Sequence, residues 1–260
     1  MEKWKKTAII WGLIFLPLLL NAQERKKIHR IGIEFGGNGF FGETIIPEQV
    51  RESVSLYEYD DFYCGFPVAN QTLENYYTGI KYETYFWEDR LGFSTGLRLS
   101  QLSSEINTNW RYRYFLYRFR QDETSADYLT IQKIAQNNYY VGIPLELRVL
   151  VKQRTYSFFN PYFKLGAAFN YLVSTNNTIT FNDPAMIRYD MEVSDQIKTP
   201  KSFYAWIYPV FGFRLGKLEK TWFNIEANFP GFLIDDKVHP FTRTDVGLGF
   251  QLSVQIPLSK

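Results

Sequence analysis

The chain has 260 residues, and its 19 Tyr, 23 Phe and 6 Trp make it strongly aromatic although its mean hydropathy is slightly negative, at −0.26. That combination excludes a bundle of membrane helices but fits strands that are apolar on one side only. The formal charge is +2, and residues 1–22, with Lys3, Lys5, Lys6 and Glu2, account for all of it, so global charge gives no support for nucleic-acid binding.

The chain opens as a targeting segment. Three lysines precede a 14-residue apolar run, Thr7 to Leu20, and small Ala22 offers a cleavage point before Gln23. A run this short, broken by Pro17, falls below the roughly 20 residues of a spanning helix. The reading is a cleaved signal peptide over 1–22 and one barrel domain over 23–260. No cysteine follows the run, which excludes a lipoprotein anchor. Cys64 is alone and no Cys/His spacing resembles a metal site, so neither a metal nor another cofactor is expected.

Beyond the signal, eight segments alternate with a period of two: 30–42, 75–87, 91–103, 139–151, 158–173, 203–215, 221–234 and 242–258. The last is the clearest. Val246, Leu248, Phe250, Leu252, Val254, Ile256 and Leu258 fall on one side, and Asp245, Gly247, Gly249, Gln251, Ser253 and Gln255 on the other. Each segment is longer than the roughly 9–11 residues a tilted strand needs to cross a bilayer.

The eight apolar faces contain no charged residue. The opposite faces carry Glu34, Lys81, Glu83, Arg98, Glu146, Arg148, Lys164, Arg214, Glu226 and Asp245, five acids and five bases. A charge facing lipid costs about 2–4 kcal/mol at the midplane, which accounts for the first fact. Side chains fill the interior of eight strands, and charges confined there must pair, which accounts for the second. A soluble barrel would turn the polar face to water, yet that face is rich in Gly32, Gly36, Gly79, Gly92, Gly96, Gly142, Gly166, Gly212, Gly247 and Gly249, which make room in a narrow lumen. The predicted fold is an all-β, eight-stranded antiparallel up-and-down transmembrane β-barrel.

Short and long connections largely alternate between these segments. Short turns at 88–90, 152–157 and 216–220 predict a periplasmic side holding both termini. External loops are expected at 43–74, 104–138, 174–202 and 235–241. Tyr76, Phe86, Trp87, Tyr139, Tyr140, Phe158, Phe159, Phe203, Trp222 and Phe223 are expected to form interfacial belts. Pro144, Pro161, Pro209 and Pro230 lie in or near strands and call for bulges or strand ends, since each removes a ladder donor.

The opening MEKWKKTAIIWGLIFLPLLLNAQ resembles the signal peptides of Bacteroidetes exported proteins. The closing VGLGFQLSVQIPL is similar to the final strand of the porin-like outer-membrane β-barrel proteins of that phylum, a group that resembles small OmpA- and OmpX-type barrels and includes PorT-like proteins. The resemblance implies the cell outer membrane of a Gram-negative bacterium, no catalytic activity by default, and a link to type IX secretion for PorT-like members. The chain ends in Leu-Ser-Lys, unlike the terminal Phe of proteobacterial barrels.

Two candidate sites remain. The ten charges above form a lumen network that plugs the barrel. Arg111, Arg113, Arg118 and Arg120, interleaved with Trp110, Tyr112, Tyr114, Tyr117 and Phe119, offer a contact for lipopolysaccharide or a protein partner. The plainer reading of that stretch is an extension of the third strand with its aromatics in the outer belt. His29 and His239 are the available histidines, and neither has a serine close in sequence. The leading functional expectation is therefore a structural or interaction module working through external loops. The alternatives are a small-solute channel, a component of a type IX-like apparatus, and a lipid A-modifying enzyme.

Overall fold

A strand that alternates apolar and polar residues is satisfied on both faces where one meets lipid and the other a filled polar interior. The computed structural model describes residues 29–45, 47–51, 69–86, 90–108, 113–121, 126–151, 158–217, 220–234 and 241–258. The predicted signal peptide, Trp87, Arg111, Tyr112, His239 and most of the short turns lie outside these residues.

Ten strands run in chain order: β1 (His29–Thr44), β2 (Val50–Arg51), β3 (Ala69–Phe86), β4 (Leu91–Thr108), β5 (Phe115–Gln121), β6 (Ala126–Leu150), β7 (Phe159–Phe181), β8 (Phe203–Leu215), β9 (Trp222–Leu233) and β10 (Thr242–Pro257). A 3-10 turn (Pro184–Tyr189) and the short helix α1 (Asp190–Gln196) join β7 to β8. Eight strands close a ring in the order β1, β3, β4, β6, β7, β8, β9, β10, each antiparallel to its neighbours, with β10 pairing back onto β1. This is the predicted up-and-down barrel. Both ends of the ring's chain meet at one rim, here the near end, where Leu258 N donates to His29 O at 3.0 Å.

Outward and inward positions divide as the period-two pattern requires. Ile80, Leu165 and Phe250 are 57, 58 and 49% exposed, whereas Glu34 and Glu226 are fully buried. In water such a wall would be an apolar patch far beyond what soluble monomers expose, and lipid is the medium that suits it. On β3, β4 and β6 the apolar outer band ends at Tyr76, Leu99 and Tyr139, and the first charges farther out are Glu74, Glu105 and Lys133.

The ladders run well past that edge, which corrects the loop assignment. Residues 69–74, 104–108, 126–138 and 174–181 are paired strand, and β5 with β2 adds a flap to the far part of β6. Beyond the bilayer a strand needs no apolar exterior, so the alternation fades while the hydrogen bonds continue. Bulges at Ile131/Lys133 and Tyr139/Tyr140 also reverse the parity on which the pattern depends.

The prolines sit at interruptions of the ladders. Pro144 falls where the β4–β6 partners jump from Thr95–Leu145 to Arg98–Gly142. Pro209 and Pro230 share one gap between Ile207–Phe232 and Val210–Asn228. Pro161 lies at the near end of β7, one residue before its pairing with β6 begins.

Two members of the expected belt point inward: Tyr140 and Trp222 are 1 and 0% exposed. They belong to aromatic layers inside the barrel. Tyr85, Leu150, Tyr162 and Trp222 form the near layer. Phe40, Leu73, Tyr140, Tyr204, Trp206 and Tyr208 belong to one farther along. At the far end Ile106, Phe115, Tyr117, Ile131, Val193 and Phe241 pack together as an apolar cap gathered from β4, β5, β6, α1 and the approach to β10. Phe115 is fully buried there. Phe115→Ala should lower the local stability of the cap by about 3–5 kcal/mol. Limited proteolysis should then cut the far-end segments sooner while a resistant barrel core persists; an unchanged digestion pattern would show that the cap does not depend on this ring.

Candidate functional site

The charged interior is positioned by pairs of glycine and tyrosine. Gly36, Gly92, Gly166 and Gly212 sit directly opposite Tyr77, Tyr85, Tyr208 and Tyr162 on neighbouring strands. Each ring lies over its glycine so closely that a Cβ has no room: one at Gly166 or Gly212 would come within 2.5 Å of the facing ring. Lying flat against the wall, these tyrosines extend their hydroxyls to the charges, a cross-strand arrangement in which the aromatic covers the gap a glycine leaves. Tyr208 and Tyr162 donate to Glu146 and Glu226 at 2.8 and 2.6 Å. The Tyr85 hydroxyl accepts from Arg148 at 2.9 Å and from Arg214. Tyr77 donates to Gln251, which donates in turn to Glu34.

Nine of the ten predicted network residues form one ladder of alternating sign along the lumen. From the near end, Glu83 lies between Arg214 and Arg148, and Arg148 bridges to Glu226 at 3.1 Å. Lys164 joins Glu226 to Glu146, and Glu146 also takes Lys81. Arg98 spans Glu146 at 3.5 Å and Glu34 at 2.8 Å. None of these side chains is more than 3% exposed. Buried charges are tolerable when they are paired in this way. The tenth residue, Asp245, lies where β10 slips against β1 between Phe41 and Gly42, and its side chain falls outside the described residues.

The structure adds Arg30, fully buried at the near end. Its guanidinium lies over the Trp222 ring, 3.2 Å from the centroid, and Arg214 lies 3.7 Å from the same centroid. The indole N–H donates to Gln255. Among the described residues the interior therefore holds six buried cations and four carboxylates. Arg30 thus adds a cation to the set expected from the sequence, and the electron-rich face of Trp222 meets part of its charge. Only Arg30's position at the very start of a strand hid it, since its parity with Glu34 was already legible.

The arginine stretch is resolved differently. Residues 115–121 form β5, so they do not extend the third strand. Phe115, Tyr117 and Phe119 face the cap and not an outer belt. Burial pushes the pKa of the Tyr117 hydroxyl up to about 12, and that hydroxyl donates to the Gln196 side-chain oxygen, 3.5 Å away. Arg118 and Arg120 lie on the opposite face of β5, and Arg120 pairs with Glu192 of α1 at the surface. Arg113 is exposed just before β5, and Arg111 lies outside the described residues. His29 stacks on Tyr82, whose hydroxyl is 2.6 Å from Nδ1, on the exterior at the near rim.

No protein-family model matches the sequence, and no curated protein matches it. Among solved structures the chain is similar to the outer membrane protein OprG of Pseudomonas aeruginosa, at 10% identity over 90% of this chain and 94% of that one, with a TM-score of 0.46. It is also similar to the N-terminal β-barrel domain of Pseudomonas aeruginosa OprF, at 10% identity over 89 and 100%, with a TM-score of 0.32. The transport unit of the Escherichia coli autotransporter AIDA-I follows at 7% identity over 90 and 91%, with a TM-score of 0.24. At such distances the functional reading rests on this barrel's own geometry.

Proposed function

We propose that the protein is a non-conducting, non-catalytic outer-membrane barrel that presents its far end as an interaction module. The observation that supports this best is the ladder from Arg214 to Glu34, in which each carboxylate joins cations from different strands and every member is buried. An eight-stranded lumen is just wide enough for side chains, and these side chains occupy it. The apolar cap then closes the far mouth a second time. In this reading residues 1–22 direct export, the near end with both termini faces the periplasm, and the far end faces the cell surface. There Arg113, Arg118 and Arg120 lie on or beside a β5 flap braced by α1, available to lipopolysaccharide phosphates or an acidic protein surface.

Planar-bilayer recording of the purified, folded protein tests the proposal. The expected trace is silent apart from brief insertion noise. Stable, ion-selective openings of uniform size would overturn the plugged-lumen reading in favour of a small-solute channel.

A further inference from the structure

The outer wall is indented on its far half. Gly37 and Gly39 occupy successive outward positions of β1, so the row of apolar side chains is interrupted between Phe35 and Phe41 and a trough of about 510 Å³ opens above them. Tyr76 and Glu74 of β3 form one bank, Phe250 and Leu252 of β10 the other, and Phe35 closes its lower end. A second trough, of about 530 Å³, lies on the other side of Tyr76, over Leu99 and Val141. Tyr76 is the ridge between the two, held upright by its hydrogen bond to Glu74 at 2.7 Å. Each volume falls within the roughly 300–1,000 Å³ typical of clefts that hold a ligand.

The far rim of these troughs specifies what chemistry they accept. Gln101 donates to Asn137 at 3.2 Å, and Ser103 of β4 lies between Asn137 and Glu74 in the register. Farther out on the same wall Lys133 is paired with Glu105. A phosphate-bearing headgroup would meet excess carboxylate here, whereas hydroxyl groups would find donors and acceptors. We propose that the twin troughs hold one two-chain lipid of the far leaflet, an alkyl chain on either side of Tyr76 and an uncharged, hydroxyl-rich headgroup at Glu74, Gln101 and Asn137. The inference rests on the membrane-spanning reading given above.

Gly39 provides a clean variant, because a Cβ there would meet nothing within 4 Å. Gly39→Leu fills the first trough without disturbing the strand; Ala167→Leu, outward on β7 across the ring, serves as control. The probes are a synthetic monoglycosyl diacylglycerol and phosphatidylglycerol with the same chains, offered together to the full-length mature barrel in detergent. Native mass spectrometry should find one glycosyl lipid retained per barrel in wild type and in Ala167→Leu. Gly39→Leu should bind it roughly 15–60-fold more weakly, as expected when two or three methylenes lose their contacts. Gln101→Leu should erode the preference for the glycosyl headgroup. Equal retention by wild type and Gly39→Leu, a preference for phosphatidylglycerol, or a dimer that excludes lipid would each overturn the proposal. Flotation with liposomes separates the two readings. A wild-type protein that floats yet retains no lipid sinks the lipid site alone, and one that fails to float sinks both.

Discussion

Glu146→Ala should be among the most damaging single substitutions in the barrel. Its carboxylate takes Lys164 at 3.0 Å, Lys81 and Arg98, and accepts from Tyr208 and Ser94 as well. Removing it leaves three cations facing one another in a water-poor lumen, and breaking one partner of a buried ion pair costs about 3–5 kcal/mol. The urea midpoint, read by the shift between folded and heat-denatured migration on a gel, should fall accordingly. Glu192→Ala, which breaks the exposed pair with Arg120, should leave the midpoint close to wild type. Replacing Glu146 and Lys164 together by Leu and Met should recover part of the loss, because two apolar side chains remove the unpaired charge as well as the pair. An unchanged midpoint in the single variant would mean that the lumen is wet enough to solvate the cations, and the plugged interior would be wrong.

Leu252→Arg carries the second large effect, on assembly. Leu252 is 45% exposed on the outer wall of β10, and neighbouring Ser253 is 3% exposed inside, where its hydroxyl accepts from Asn224. An arginine near the bilayer midplane of such a wall costs about 2–4 kcal/mol. The expected result is loss of folded protein from the membrane fraction, with Leu145→Arg behaving alike and Ser253→Thr remaining at wild-type level. Equal yields for Leu252→Arg and Ser253→Thr would contradict the assignment of these two faces to lipid and lumen.

The ring was legible in the sequence because lipid imposes a strict rule on every outward position, and Leu145 or Leu252 obeys it as clearly as Glu146 disobeys it on the other face. The charge network was legible for the same reason. What stayed hidden depends on register or on surroundings other than lipid. The glycine–tyrosine pairs can be read only once Gly166 is known to lie opposite Tyr208 and not one residue away. Tyr140 and Trp222 carry the composition of a headgroup belt, yet parity turns them inward. The far extension escaped because residues 126–138 leave the membrane, where no exterior rule applies, and a bulge shifts their parity. Tyr117 and Phe119 alternate with arginines and read as a belt, although the surface they meet is the cap, assembled from residues distant in sequence.

The seam between β1 and β10 has a consequence for how the protein reaches this state. Those strands share fifteen register pairs, yet they are the first and last of the ring, so nearly the whole chain must be in place before they meet. Until then each presents an open edge, long and apolar on one face, the kind that recruits strands from other molecules. Contacts between such distant segments also form slowly, because the entropy of joining the ends is lost before any of the pairing is gained. The aqueous passage before insertion is therefore the hazardous stage of this protein's life. A chain delivered without an escort to shield β1 should aggregate in preference to closing.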